Sequence, residues 1–568
     1  MLQYQQVVKL LFQQVERIRQ QGIQQQRFDE EQQLSELAFR FQEPNKPVYE
    51  VLKLAGKLRE YPTAELLHGD YLYQTFDPTL IQAYLNYVRP DNMLLTLMAN
   101  DLETDQTDRD YQAQYRLRPL PESLREQLAD LQPHPALGLP AANPFIPQDL
   151  NLLAPQGMQR PIALLEQPGF RMWYQQDDQF RVPRADLFFS FRSPMANDSP
   201  RHQLMTNLLT QLVDERLNAF LYPATEAGLN THIYPHVSGF SIRISGYSDR
   251  QQPLLEQIVA TLNGLQIDAD KLAIFKQRLR QQLENKAKDK PYNQGFDALY
   301  LRILDPRWST EQQLAEIDSI DAEALQTFKT QLLQRGNIEA LAHGNLNPSQ
   351  AKALAAVLTQ QLLATVEPVD VPQAQARQLA EGTEVLTLDI DHNDSSLIVY
   401  LQAAQKNLDV RGQFGLLAKV LEAPFYTELR TEKQRGYVVF ATPMPIQEHP
   451  ALALVIQSPS ASPDTLLDDI ESFFARGQAL IEAIDGPTLE SYRQGLISEL
   501  MKQEQKLSQR SDRYWQEIDK GYYQFDSREQ LVAAIAQVSK EQLLSTFAQL
   551  NQRRLIIRST GSGADSGQ

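Results

Sequence analysis

The sequence predicts an α+β fold of repeated domains, each a sheet covered on one face by helices, with two complete copies and the end of a third. Three observations carry this. A closing unit of helix, tight turn and strand occurs three times, an opening unit of strand, helix and alternating strand occurs twice, and Gly228 and Gly436 hold matching places 208 residues apart (436 − 228). Strands and helices in long domains without strict alternation imply layered α+β architecture, and a repeat of this length suits a domain.

Residues 1 to about 20 read as a helix with Val8, Leu11, Val15 and Ile18 on one stripe and Gly22 as its stop. The glutamine-rich remainder reads as a solvated face. Asp77-Pro78 supplies a cap and first turn for Leu80, Ile81, Tyr84, Leu85 and Val88, followed by Arg89 to Asn92 and a strand from Met93 to Met98. This closing unit returns as Leu325 to Leu333, Arg335 to Asn337 and the strand Ile338 to Ala342, and again as Leu543 to Leu550 with the strand Arg554 to Arg558.

The first opening unit has the strand Leu187 to Phe191, then a helix marked by Leu204, Leu208, Leu212 and Leu217. Phe240, Ile242 and Ile244 alternate with Ser241, Arg243 and Ser245 as a half-buried strand before a helix begun by Pro253. The second has Leu397 to Leu401, the helix of Phe414, Leu417 and Leu421, the strand Leu452 to Gln457, and Pro463 starting the next helix. Three closing units against two opening units give the expectation that the chain begins inside a domain whose first part is missing. The expected division is 1–130 for that domain end, 131–165 for a proline-rich linker, 166–366 and 382–558 for the complete copies, 367–381 for a second linker, and 559–568 for a flexible tail.

At 568 residues the chain exceeds one core. A net charge of −17 leaves no basic stripe for nucleic acid. No cysteine is present, so thiolate metal sites and disulfides are excluded, and no run of about 18 apolar residues crosses a membrane.

The stretch Leu429 to Phe440 joins a helix end to a strand start, with Gly436 expected in the left-handed conformation that ends a helix. Arg430 and Tyr437 flank the turn and read as donors to an oxygen in one cleft. The matching positions of the earlier copy are Tyr222 and Leu229, so the pair is confined to the second copy. The alternative is structural: an arginine paired with Glu428 or Glu432 and a tyrosine half in the core.

The Arg-Thr-x-x-Gln-x-Gly-Tyr segment, with an apolar strand ending in Gln457-Ser458 about twenty residues on, resembles the last domain of the insulinase/pitrilysin family of zinc metallopeptidases. Asn143 to Pro147, Trp173-Tyr174, Asp177-Asp178, Gly246 to Asp249, His343 to Asn345, and Tyr514-Trp515 with Tyr523 and Phe525 fall in the family's order. Arg435 stands where family members often carry an apolar residue. The resemblance implies four related α+β domains closing as a clamshell around a chamber, with this chain holding the C-terminal half. It implies peptide substrates, Arg430 and Tyr437 binding substrate and stabilising the oxyanion, and zinc held by His-x-x-Glu-His in an N-terminal half, either of the same parent chain or in a separate subunit. Bacterial members are often periplasmic, which implies that compartment, with the cytoplasm as the other option.

The eight histidines include no His-x-x-Glu-His frame, so no metal ligand and no bound cofactor is assigned to this chain. His232 and His236 flank Pro235 in extended chain, where residues four apart lie roughly 13 Å from each other, too far for one ion. His343 reads as part of a strand-ending turn. The leading expectation is the substrate-binding half of a zinc endopeptidase, inactive alone. A natural non-catalytic subunit that pairs with a zinc-bearing half, and a scaffold that has lost proteolysis, are the alternatives.

Overall fold

The computed structural model describes residues 3–563. The chain divides into two compact units, one ending at Ile146 and including Glu226–Gly228, the other holding Pro147–Thr225 and everything from Leu229.

The first unit is mainly helical: α1 (Tyr4–Gln21), α2 (Gln25–Arg40), α3 (Pro47–Lys57), α4 (Pro78–Leu85) and α5 (Glu122–Ala129). Val8, Phe12 and Val15 of α1 pack with Leu124 and Leu128 of α5. Phe12 takes the place expected of Leu11, which is 57% exposed. Gly22 ends α1 at φ +75°, its N–H on the Ile18 carbonyl, and the Asp77 carboxylate caps α4 by accepting the Leu80 N–H at 2.9 Å. The strand expected over Met93 to Met98 does not form. A strand holds only where a neighbour pairs its backbone, and no described residue supplies that ladder here.

The second unit holds two sheets with one plan. The first comprises β1 (Ile162–Gln167), β2 (Phe170–Gln176), β3 (Arg184–Arg192), β4 (Asn230–His236), β5 (Gly239–Tyr247) and β6 (Arg335–Gly344), ordered β1-β2-β6-β3-β5-β4. The second comprises β7 (Gly382–Leu388), β8 (Ser395–Gln402), β9 (Val438–Pro443), β10 (Ala451–Ser458) and β11 (Arg553–Ser559), ordered β7-β11-β8-β10-β9. Leaving out β1, the orders correspond strand for strand. In each, the outer strand pairs parallel with the last strand of the copy (β2 with β6, β7 with β11) and the other pairs are antiparallel. The repeat read from the sequence is a repeat of topology.

Helices of the same copy cover one face of each sheet. In the first copy α6 (Pro200–Glu226) buries Leu204, Leu208, Leu212 and Leu217, and α7 (Gln251–Gly264) buries Leu254 and Ile258. α7 begins two residues before Pro253. The opposite faces are covered by exchange. α8 (Pro291–Ile303) leaves the first copy and packs Leu299 and Ile303 on Ile398, Tyr400, Val455 and Ile557 of the second sheet. In that copy α9 (Leu408–Tyr426) and α10 (Pro463–Ala483) cover Leu397, Val399 and Leu401. α11 (Leu507–Asp519) returns the exchange, packing Tyr514, Trp515 and Ile518 on Trp173, Phe188 and Leu341 of the first sheet. Trp515 stacks on Phe188 at 5.2 Å between centroids.

The exchange corrects the half-buried expectation for β5. Ser241 is buried, and Arg243 bonds Asp512 of α11 at 2.7 Å, because the polar face meets a helix instead of water. Strands buried on both faces also explain the unbroken apolar run at Leu187 to Phe189.

Both expected linkers are tied to the sheets. Asp249 accepts the Gln148 N–H, Asn345 bonds both Leu153 N–H and the Asn151 carbonyl, and Asp178 accepts the Gln156 and Gly157 N–H groups. β1 begins at Ile162, so the last residues given to that linker belong to the sheet. Glu367–Pro368 pairs with the start of β6, and Gln375–Ala376 pairs with Leu304–Asp305. The tail expected from residue 559 is bonded as far as Gly563: Ser559 lies in β11, and the Ser562 and Gly563 N–H groups reach the His392 and Asn393 carbonyls. Residues 564–568 of that expected tail lie outside the described residues.

Candidate functional site

α9 does not stop at Tyr426 but continues as a π-helical turn, Thr427–Glu432. The turn is closed by the Lys433 N–H on the Glu428 carbonyl at 2.8 Å. Such wide turns recur at functional sites because they rotate the next side chain off the helix face. Leu429 is fully buried in the second-copy core and pins the turn, leaving Arg430 half-buried at the surface.

The residue that takes the left-handed conformation is Gln434, at φ +52°, and not Gly436. Gly436 is required for another reason: a Cβ there would lie 1.9 Å from the Gln457 carbonyl oxygen of β10. The glycine lets the chain enter β9, an edge strand, directly against its neighbour. Tyr437 is the residue before that strand.

Arg430 and Tyr437 come together. The guanidinium carbon lies 5.1 Å from the Tyr437 ring centroid and 5.6 Å from that of Tyr426, and Nη1 donates to the Gly436 carbonyl at 2.9 Å. Tyr437 is 87% exposed. No carboxylate among the described residues pairs with Arg430. Glu428 instead binds Lys433 at 2.9 Å and Arg476 at 2.5 Å. The structural alternative, an arginine paired to a local acid and a tyrosine half in the core, is therefore not the arrangement found. A guanidinium has five N–H donors in a rigid fork, so the site presents a cation and a phenol hydroxyl to any oxygen brought against them. At the matching places of the first copy Tyr222 is exposed and Leu229 is buried, so no such pair forms.

Two contributors escaped the sequence reading. Tyr426 sits one helical turn before Arg430, a spacing that signals contact. Asp469, on α10, holds Lys433 Nζ at 2.9 Å and Arg435 Nε at 2.5 Å. Burial works against its charge, but the Arg435 and Lys433 hydrogen bonds outweigh it and hold the carboxyl below its ordinary value. Nothing local in the sequence marks that residue.

The histidines are elsewhere. His232 and His236 lie in β4, as extended chain requires. His236 Nδ1 accepts the Ser238 N–H, so Nε2 carries the proton and donates to Ser190 Oγ at 2.8 Å, and the ring cannot act as base to that serine. Burial pushes its pKa down to about 4. His343 is fully buried beneath α11 with Nδ1 at 2.8 Å from Ser511 Oγ, and burial drives it down to about 3. No substrate reaches that pair. Among the described residues no group of three or more His, Asp or Glu side chains is placed to hold a metal ion.

A family model for the middle or third domain of peptidase M16 matches residues 39–316, and one for domain 4 of the PqqF-like C-terminal lobe matches residues 416–515. The chain is 28% identical over 554 residues to the insulin-degrading enzyme of Homo sapiens, covering 95% of this chain and 54% of that protein. It is 25% identical over 547 residues to the A-factor-processing enzyme of Saccharomyces cerevisiae, covering 94% and 53%. Among solved structures, pitrilysin superposes with a TM-score of 0.83 at 23% identity, over 99% of this chain and 60% of that one. The chain thus spans about half the length of the curated relatives it matches. Together with the repeated sheets and the Arg-Thr-x-x-Gln-x-Gly-Tyr turn, these matches make the chain a member of the insulinase/pitrilysin family, the M16 peptidases.

Proposed function

We propose that this chain is the substrate-binding half of an M16 metalloendopeptidase, working with a zinc-bearing half on peptides small enough for an enclosed chamber. The observation that carries the reading is the Arg430 guanidinium, stacked on a Tyr437 ring that is 87% exposed and left without a carboxylate. Placed over a peptide bond under attack, Arg430 orients the carbonyl and Tyr437 donates to the oxygen as it gains charge. In this reading the metal and its water belong to the zinc-bearing half, because the sequence of this chain holds no His-x-x-Glu-His frame. Docking of another polypeptide is supported by α3, where Val48, Tyr49, Val51 and Leu52 are 59–65% exposed.

The test mixes the chain with a fragment bearing His-x-x-Glu-His and follows a fluorogenic peptide. Chelator-sensitive cleavage by the mixture and none by either part is the expected result. Cleavage by this chain alone overturns the reading.

A further inference from the structure

The seven-residue interval from Arg430 to Tyr437 holds the two groups of the site on different elements, a π-helical turn and the start of an edge strand. The segment between them, Lys433 to Arg435, belongs to neither, and Gln434 at its centre takes φ +52°. A non-glycine residue in that region persists only where its surroundings hold it. Two backbone bonds help, Lys433 N–H to Glu428 and Arg435 N–H to Leu429. The side chains on either side of the strained residue both end on one carboxylate.

We propose that Asp469 is a positioning residue for the site, clamping Lys433 and Arg435 together so that Gly436 and Tyr437 are presented under the Arg430 guanidinium. Its two oxygens are divided between the two cations, Oδ1 to Lys433 and Oδ2 to Arg435, so the carboxylate spans the strained turn. Asp469 is anchored by its neighbours on α10, where Leu466, Ile470 and Phe473 are fully buried in the second-copy core. The clasp therefore refers the turn to the rigid part of the domain. Glu428 completes it, sharing Lys433 and binding Arg476 of the same helix. Arg430 takes no part in this network, and its Nη1 reaches the Gly436 carbonyl, the first group beyond the clasp. Loss of the clasp frees that carbonyl to move, and the ring that follows it.

This inference rests on the proposed function for its kinetic consequence but not for its structural one, so two readouts separate them. In the chain by itself, the Arg430 Nε–Hε resonance, assigned through an Arg430→Lys spectrum, is expected upfield because two tyrosine rings flank it. Asp469→Asn, which keeps the shape and removes the charge, is expected to move it to the position of a free arginine, and Asp469→Glu to restore it in part. A double-mutant cycle with Arg435→Gln is expected to be strongly non-additive. In the mixture with the zinc-bearing fragment, Asp469→Asn is expected to lower kcat on the order of tenfold to a hundredfold with KM little changed, the scale of a misplaced group. An Arg430 resonance that stays in place in folded Asp469→Asn overturns the positioning role whatever the kinetics. A resonance that moves while the mixture never cleaves upholds it and sinks the proposed function.

Discussion

At the scale of the residue, the proposed chemistry rests on Arg430, which pairs with no carboxylate among the described residues, and on the exposed hydroxyl of Tyr437. Tyr437 forms no hydrogen bond among the described residues and is 87% exposed, so Tyr437→Phe is expected to leave thermal stability unchanged. In the reconstituted enzyme it is expected to lower turnover roughly 10²-fold, the cost of one oxyanion donor. Equal turnover rates remove the hydroxyl from the mechanism. Tyr426→Leu removes one ring from beside Arg430, and the expected loss is several-fold only, because an exposed cation–π contact contributes about 0.5–1 kcal/mol. The buried histidines make a different prediction. Unfolded, each takes up a proton near 6.5, whereas folded His236 does so near 4 and folded His343 near 3. Their contribution to stability is complete above 6.5 and is lost as pH falls towards those values. Urea denaturation between pH 6.5 and 5, above the range of ordinary carboxylates, is expected to show stability falling with pH. In His343→Gln the slope over that window is expected to be shallower, and an unchanged slope counts against the burial argument.

At the scale of the element, the sequence is read correctly where the cause is local. Asp77 caps α4 and Gly22 ends α1 because a carboxylate three residues from an orphan N–H, or a residue free to adopt positive φ, acts within one turn. Gly436 is the instructive failure. Its neighbours in sequence indicate a helix end, yet the contact that demands glycine is the Gln457 carbonyl, which belongs to another strand. Gly436→Ala is expected to destabilise the chain by about 2 kcal/mol, the scale of overpacking against a fixed backbone, and to shift β9 with it. Chemical denaturation measures the first, and a stability equal to wild type removes the close-approach argument. The polar pieces shared with the family have an equally plain function: Asp178, Asp249 and Asn345 fasten the proline-rich stretch after Pro147 to the first sheet. They are structural residues of a linker, invisible as such until the fold brings them to it.

At the scale of the whole molecule, the second unit is two copies of one topology joined by exchange, α8 covering the second sheet and α11 the first. Neither copy closes its own core. Cutting the chain within Val371 to Gln373 is therefore expected to leave both pieces associated through gel filtration, and each piece expressed alone is expected to aggregate. Two soluble, separable pieces contradict the exchange. The first unit leaves Val48, Tyr49, Val51 and Leu52 of α3 exposed, the face offered to a partner under the proposed function.

What the sequence by itself determined was the composition of the units: the helices from their periodicity and caps, the strands from alternation, the repeat from the 208-residue spacing, and Arg430 with Tyr437 from a segment resembling one family. These are properties of residues a few places apart, and the physics that fixes them acts over that range. The tertiary structure alone decided which helix covers which sheet, why Ser241 is buried and Arg243 is bonded to α11, why Met93 to Met98 form no strand, and that Asp469 pairs with Lys433 and Arg435 beside the site. Each depends on a partner far along the chain. Burial, ladder pairing and ion pairing act through space, and no local pattern records which distant segment arrives.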